Sequence, residues 1–258
     1  MSRIIIFVPT FNCAVQIERL IFKISEIPSL RDIPFVVIDN GSVDGTLSSA
    51  QRAIHQSSSK NVELRKTTAN NNLGGTHKIA FNYALEYNFD FVGILHGDDQ
   101  AEPKDLASIC ENLNKGIVKY SLLGSRFSRA SRLNGYSIKR RAGNLLLNSL
   151  YSLRFRRKLT DLGSGLNIFR VSDIQGLDYM NFGNSITFNY ELLIEMIKKK
   201  IQFNFYPISW SELDQKSNAH NLTVFKTGLF LLIKSCLPQD SNRKTDVQEY
   251  KMVDYFEQ

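Results

Sequence analysis

The chain has 258 residues, 43% of them hydrophobic, and its 32 basic and 25 acidic side chains leave a net charge of +7. This length and apolar share supply one large core and exclude a disordered or low-complexity chain. Three widely spaced cysteines, Cys13, Cys110 and Cys236, exclude a disulfide framework and a cysteine-rich metal site, and point to a reducing compartment.

Residues 3–8 (RIIIFV) form an apolar run rich in β-branched side chains, the pattern of a strand covered on both faces, and Pro9 is expected to stop it. Residues 16–27 carry Ile17, Leu20, Ile21, Ile24 and Ile27 at helical spacing, ended by Pro28. A strand over 35–39 runs into the turn Asn40-Gly41-Ser42, followed by a polar helix over 44–56 and a strand over 62–66. Past Asn70-Asn71-Asn72, a helix is predicted over 75–87, a buried strand over 89–95, and a helix over 103–113 opened by Pro103. The second half reads as strands at 122–127, 166–170 and 203–208, with helices at 138–156, 191–199 and 223–236 and a polar loop at 211–221. Alternation at this spacing predicts βαβ units in a single α/β domain, with a mostly parallel central sheet flanked by helices. Right-handed crossovers then bring the strand C-termini to one edge, where the polar segments 10–12, 39–46 and 96–100 fall.

No apolar run approaches the ~20 residues of a membrane span, and the N-terminus lacks the apolar region of a signal peptide. The mature chain is therefore expected to begin at Met1 and to stay cytoplasmic, free or peripheral on the inner face of the membrane. Ten of the cations fall within residues 126–160, a stretch with no acid. Such concentration suits phosphorylated ligands, anionic lipid or a nucleic-acid backbone, and a solvated helix face suits it equally. At the end of this stretch Arg154, Arg156, Arg157 and Lys158 interleave with Leu150, Tyr151, Leu153 and Phe155, a pattern that fits an anionic membrane surface.

The dinucleotide fingerprint needs three glycines directly after a strand. The first strand is followed instead by Pro9-Thr10-Phe11-Asn12, and Gly163 and Gly165 fall elsewhere, which speaks against nicotinamide and flavin chemistry, and a phosphate loop ending in Gly-Lys-Ser/Thr is absent. At the strand ends stand carboxylates: Asp39 at one, and Asp98 and Asp99 in His96-Gly97-Asp98-Asp99-Gln100 at another. Magnesium and manganese favour oxygen ligands and commonly bridge carboxylates to substrate phosphates.

These residues carry a resemblance. Val8-Pro9-Thr10-Phe11-Asn12, Asp39-Asn40-Gly41-Ser42-x-Asp44-Gly45-Thr46, Asn72-Leu73-Gly74, Gly124-Ser125-Arg126, then Arg141 and Asn144, and Asp161-x-x-Ser164-Gly165 follow in the order of family 2 inverting glycosyltransferases of the GT-A fold. Among these the chain looks most similar to the branch of dolichyl-phosphate mannose synthases and bacterial polyprenyl-phosphate glycosyltransferases. The resemblance implies a nucleotide-sugar half at 1–120, an acceptor half at 121–238 and a polar tail at 239–258. It implies donor contacts from Pro9, Thr10, Asn12, Asp39, Gly41, Ser42, Asn72, Gly74, His96 and Gly97. Asp98 is implied as the ligand of Mg2+ or Mn2+, with Asp99 second. His96 stands where the family has the first aspartate of its Asp-x-Asp, and Asn40 replaces another family aspartate.

The family's chemistry is a single displacement with inversion at the anomeric carbon. Family members acting on sugar hydroxyls carry an acidic pair near residues 181–185, which here reads Asn-Phe-Gly-Asn-Ser, with no acid before Glu191. A phosphate acceptor needs cations rather than a base. The resemblance thus implies a polyprenyl phosphate acceptor held by Arg126 and Arg141, or by Arg140 if the alignment slips by one, with Asp161 shaping that side. The alternative is a sugar hydroxyl of a glycan or lipid-linked oligosaccharide. A nucleotidyltransferase lacks its glycine-rich loop, and a nucleic-acid module would leave Asp39 and Asp98 without a role.

Overall fold

The computed structural model describes residues 2–57, 59–214, 221–237 and 252–254. Its first half alternates β1 (Ile4–Thr10), α1 (Ala14–Ser25), β2 (Phe35–Asp39), α2 (Thr46–Ser57), β3 (Val62–Thr67), α3 (Asn72–Glu86), β4 (Phe91–Leu95) and α4 (Pro103–Asn114). Its second half continues with β5 (Ser121–Ser125), β6 (Arg132–Asn134), α5 (Ile138–Phe155), β7 (Leu166–Arg170), α6 (Val171–Ile174), α7 (Phe188–Lys198), β8 (Phe203–Pro207), β9 (Ser209–Ser211), α8 (Asn221–Lys234) and β10 (Met252–Asp254). Pro9 does not stop β1. Its carbonyl still accepts the Gly97 N–H at 3.0 Å and the Thr10 carbonyl accepts the Asn40 N–H at 2.9 Å, so the strand runs through the proline. Residues 215–220 of the expected polar loop, and 239–251 and 255–258 of the expected tail, lie outside the described residues. The described piece of that tail, β10, pairs antiparallel with β3.

The main sheet has the order β10-β3-β2-β1-β4-β7-β5-β8. The pairs β1–β2, β1–β4, β2–β3 and β5–β8 are parallel, while β7 runs antiparallel between β4 and β5. Successive side chains of β1 point to opposite faces, so Ile4, Ile6 and Val8 join one core with α1, α2 and α4. Ile5 and Phe7 join the other, with α3, α5 and α7. Apolar runs such as β1 and β2 are the consequence of burial on both faces.

The reversed strand β7 matters most for the site. Leu95 at the end of β4 is paired with Leu166 at the start of β7. The segment 161–165 therefore emerges at the same edge as the C-termini of β1, β2, β4 and β5. One strand run backwards is enough to bring second-half residues to the first-half motifs.

Candidate active site

At the ends of β1 and β2 the backbone is knitted by short polar side chains. Asn12 adopts a left-handed φ of 49°, its Oδ1 accepts the Val43 N–H at 2.9 Å, and its own N–H is donated to Ser42 Oγ at 3.0 Å. Asp44 accepts from the N–H and hydroxyl of Thr46, closing the first turn of α2. Asp39 is buried; its Oδ2 accepts the Ser42 N–H at 3.2 Å, while Oδ1 is buried with no partner. A buried, unpaired carboxylate oxygen is costly unless a ligand completes it. Thr10 spends its hydroxyl on the Ile38 carbonyl, so it shapes this loop rather than offering a donor. Asn40, the family aspartate's replacement, accepts the Asn71 N–H at 2.9 Å and so fixes the 70–72 loop beside Gly41 and Asn72.

At the end of β4, Gly97 packs so tightly on Thr10 that any side chain there would strike its methyl group. Asp98 follows, half-buried and without an ion-pair partner among the described residues; its Oδ1 accepts the Gln100 N–H at 3.3 Å. Burial, with the like charges of Asp99 and Glu212 adding, pushes its carboxyl up to about 6. Asp99 is different. Arg19 Nε and Lys23 Nζ engage its two oxygens at 3.0 and 2.7 Å, so the expected second metal ligand is already paired with two cations. The described residues contain no group of three or more His, Cys, Asp or Glu side chains able to hold a metal. A cation at Asp98 fits the donor set only if the diphosphate supplies the remaining oxygens, as is usual for magnesium sites.

The ionised Asp98 is the form that binds a cation, so affinity is expected to rise as pH rises through about 6 and to level off above it. Titration calorimetry of Mn2+ with UDP at pH 5 and pH 7 should show roughly ten-fold weaker binding at the lower pH. It should also show proton release near pH 6. Equal affinity at both values would exclude Asp98 as a ligand.

His96 lies behind this position. Its N–H is donated to the Gly165 carbonyl at 2.9 Å, its ring is 6.2 Å from that of His77, and both Nε2 atoms are buried and unpartnered. Burial holds His77 down at about 4 and His96 at about 3, the latter helped by His77 and Arg126. Both imidazoles are thus neutral, and His96 brings the site a neutral ring where the family carries an anion. A Cβ at residue 165 would come within 2.8 Å of its Nδ1, so Gly165 is what gives the ring room.

On the acceptor side Arg126 and Asp161 meet as a buried bidentate pair, with Nε and Nη2 each 2.8 Å from a carboxylate oxygen. Nη2 also reaches the Gly163 carbonyl, and the guanidinium lies 5.1 Å from the centre of the Trp210 ring. Arg126, expected on the acceptor phosphate, is thus already engaged, and the pair ties β5 to the segment 161–165 that supports His96. Arg140 is likewise engaged, with Glu212 at 2.6 Å. Arg141 is exposed on the first turn of α5, with no side-chain partner among the described residues.

One residue, Lys78, escaped the sequence reading, and Glu191 takes a place the sequence did not show. Lys78 is fully buried in α3 and donates to the Phe182 carbonyl at 2.7 Å and to Asn184 Oδ1 at 2.8 Å. Glu191 Oε2 accepts the Gly183 N–H at 2.9 Å. Together they brace residues 182–184 against the N-terminus of α3, where the Gly74 N–H meets the Asn184 carbonyl at 2.8 Å. A lysine among the small and apolar residues of a predicted helix was the available signal for the first. A Cβ on Gly74 would lie 2.7 Å from Asn184 Cα. Gly74→Ala is therefore expected to unseat this loop and lower stability by about 1–3 kcal/mol in urea unfolding, with Asn184→Ala much milder.

A doubly covered, mostly parallel sheet whose C-terminal edge gathers an unsatisfied Asp39, an unpaired Asp98 and a cation-rich opposite bank has the architecture of GT-A nucleotide-sugar transferases. The chain belongs to glycosyl transferase family 2, whose model matches residues 5–177. A curated relative, undecaprenyl-phosphate mannosyltransferase of Micrococcus luteus, is 24% identical over 181 residues, covering 68% of this chain and 70% of that one. Glucosyl-3-phosphoglycerate synthase of Mycobacterium tuberculosis has a matching crystal structure at a TM-score of 0.64 and 16% identity, covering 93% of this chain and 82% of that one. Its complex with Mn2+, UDP and phosphoglyceric acid matches at 0.64 and 15% identity, covering 93% of this chain and 80% of that one. These structures, matched over 93% of this chain, are of glucosyl-3-phosphoglycerate synthase, which corrects the expected place in the polyprenyl-phosphate branch, and at 15–16% identity what they share with this chain is the fold. Among the described residues no helix is long and apolar enough to cross a membrane.

Proposed function

We propose that this glycosyltransferase moves a sugar from a uridine-diphosphate sugar to a hydroxyl of an acceptor that itself carries negative charge. The observation that carries the reading is the convergence of Asp39 and Asp98 on one sheet edge, one with a buried oxygen awaiting a donor and the other without a cation. Asp39 Oδ1 would accept an N–H of the base, with the Asn12–Ser42 contacts holding the loop around it. UDP and Mn2+ in a structure of the same fold support this donor and cofactor.

Asp98, with oxygens of the diphosphate, would hold Mn2+ or Mg2+. Such an ion neutralises charge that develops on the departing diphosphate. His96, neutral and walled by Gly165, would present a ring nitrogen to a donor hydroxyl without adding charge beside Asp98. The acceptor reading is supported by exposed Arg129, Lys139 and Arg141, which have no ion-pair partner among the described residues. Holding the acceptor next to the donor supplies a large share of the rate. Glu191 is already committed to Gly183, and its role is to brace that loop. Glu191→Gln is therefore expected to keep transfer within about ten-fold of the parent, far milder than removal of a general base, which costs ~100-fold or more.

The test is release of UDP from a panel of UDP-hexoses with Mn2+, with 3-phosphoglycerate, a neutral glycoside or no acceptor. Turnover that requires a hydroxyl acceptor and favours the anionic one is expected. Turnover with the neutral glycoside alone would overturn the anionic-acceptor reading, and no turnover with any UDP-sugar would overturn the donor.

A further inference from the structure

Helices α5 and α8 pack side by side, joined by Tyr151 Oη donating to the Gly228 carbonyl at 2.8 Å and Arg154 donating to the Ser235 carbonyl at 3.1 Å. Each turns an apolar stripe to solvent. On α5, Ile138, Leu145, Leu146 and Leu153 fall within an arc of about 100° at helical spacing, and Ile138 and Leu153 are 84% and 78% exposed. On α8, Leu222, Phe230 and Ile233 fall within an arc of about 80°, with Leu222 and Phe230 66% and 61% exposed. Neither helix contains an acidic residue.

Cations flank both stripes. Lys139 and Arg141 lie at one end of α5, Arg156 and Lys158 just past its other end, and Lys226 within the α8 stripe, all exposed and without an ion-pair partner among the described residues. Between α5 and the following segment runs a groove of about 620 Å³ with Leu145 and Leu153 on its wall and Arg156 and Lys158 at its rim.

We propose that the α5–α8 surface docks on an anionic lipid bilayer, with its leucines and Phe230 entering the interface and its cations meeting the headgroups. The occupant follows from the charge. A second copy of this chain would bring the same acid-free cationic faces together, whereas an anionic leaflet complements them and accepts the exposed apolar side chains. The arrangement places the enzyme on a membrane without a spanning helix. Lys139 and Arg141 at the start of α5 also serve the acceptor reading, whereas Arg156, Lys158 and Lys226 take no part in the donor or acceptor chemistry.

The experiment is co-sedimentation of the full chain with vesicles of phosphatidylcholine alone or with ~30% phosphatidylglycerol. Strong partition onto the anionic vesicles, release at 0.5 M salt and little binding to the neutral ones are expected. A surface cation contributes about five-fold to such binding, so Arg156→Gln/Lys158→Gln/Lys226→Gln should weaken it by about 100-fold. Leu153→Ser/Phe230→Ser should weaken it by at least ten-fold, with UDP–Mn2+ binding and the unfolding midpoint of both variants unchanged. Equal partition to neutral and anionic vesicles, or no loss in either variant, would overturn the proposal. A dimer by light scattering that Leu153→Ser/Phe230→Ser dissolves would also overturn it, assigning the face to a second copy.

Discussion

Asp98→Asn is expected to remove cation-dependent turnover while making the free protein more stable. The asparagine keeps the shape and the Gln100 contact but offers the cation no charge, a loss on the order of 100-fold or more in turnover. The stability change has the opposite sign. Because the folded-state carboxyl is raised to about 6 by burial and by Asp99 and Glu212, its ionised form opposes folding. That penalty is absent at low pH, grows as pH rises through the ordinary carboxylate range and is complete above about 6. Removing it should raise unfolding stability at pH 7.5 by roughly 1–3 kcal/mol and change nothing at pH 3.5. Urea melts at the two pH values, beside a UDP-release assay, check both halves. A residue that served only the fold would lose stability and activity together.

The second large effect is expected from the Arg126–Asp161 pair, whose two side chains are 8% and 1% exposed. Arg126→Ala leaves a buried carboxylate without its partner, and Asp161→Asn leaves a buried guanidinium; each should cost about 3–5 kcal/mol in urea unfolding. Arg126→Met/Asp161→Leu removes both charges and should recover much of that loss, which an additive pair of substitutions would not do. If Arg126 were an open acceptor clamp, its alanine variant would keep full stability and lose only acceptor affinity.

The first half of the fold was legible because its strands are apolar on both faces and its helices have clean punctuation. The strand over 35–39 and the start of α4 at Pro103 coincide with the structure. The error at Pro9 came from treating proline as a stop, whereas only its missing N–H is lost to the ladder and its carbonyl still accepts. Periodicity also placed the strand over 166–170 but could not show that it runs backwards, and that reversal is what carries Asp161 and Gly165 to the edge where Asp98 lies. The motifs located Asp39 and Asp98. They could not tell a free side chain from an occupied one, since Asp99, Arg126 and Arg140 differ from Asp98 and Arg141 only in their neighbours, which stand 76 to 80, 35 and 72 residues away in sequence. Nor could the acid-free segment at 181–185 reveal from sequence that it folds as a loop braced by Lys78 and Glu191.

The central claim is that Asp39 and Asp98 hold the two ends of one nucleoside diphosphate, the base and the cation-bound diphosphate. Titration calorimetry of UDP into the parent protein, Asp39→Asn and Asp98→Asn, each with Mn2+ and with chelator, tests it most directly. The account predicts that Mn2+ strengthens binding to the parent by at least ten-fold, that Asp98→Asn binds with the chelator-treated affinity under both conditions, and that Asp39→Asn weakens binding in both while keeping the Mn2+ response. Parent and Asp98→Asn proteins that respond equally to Mn2+ would contradict it.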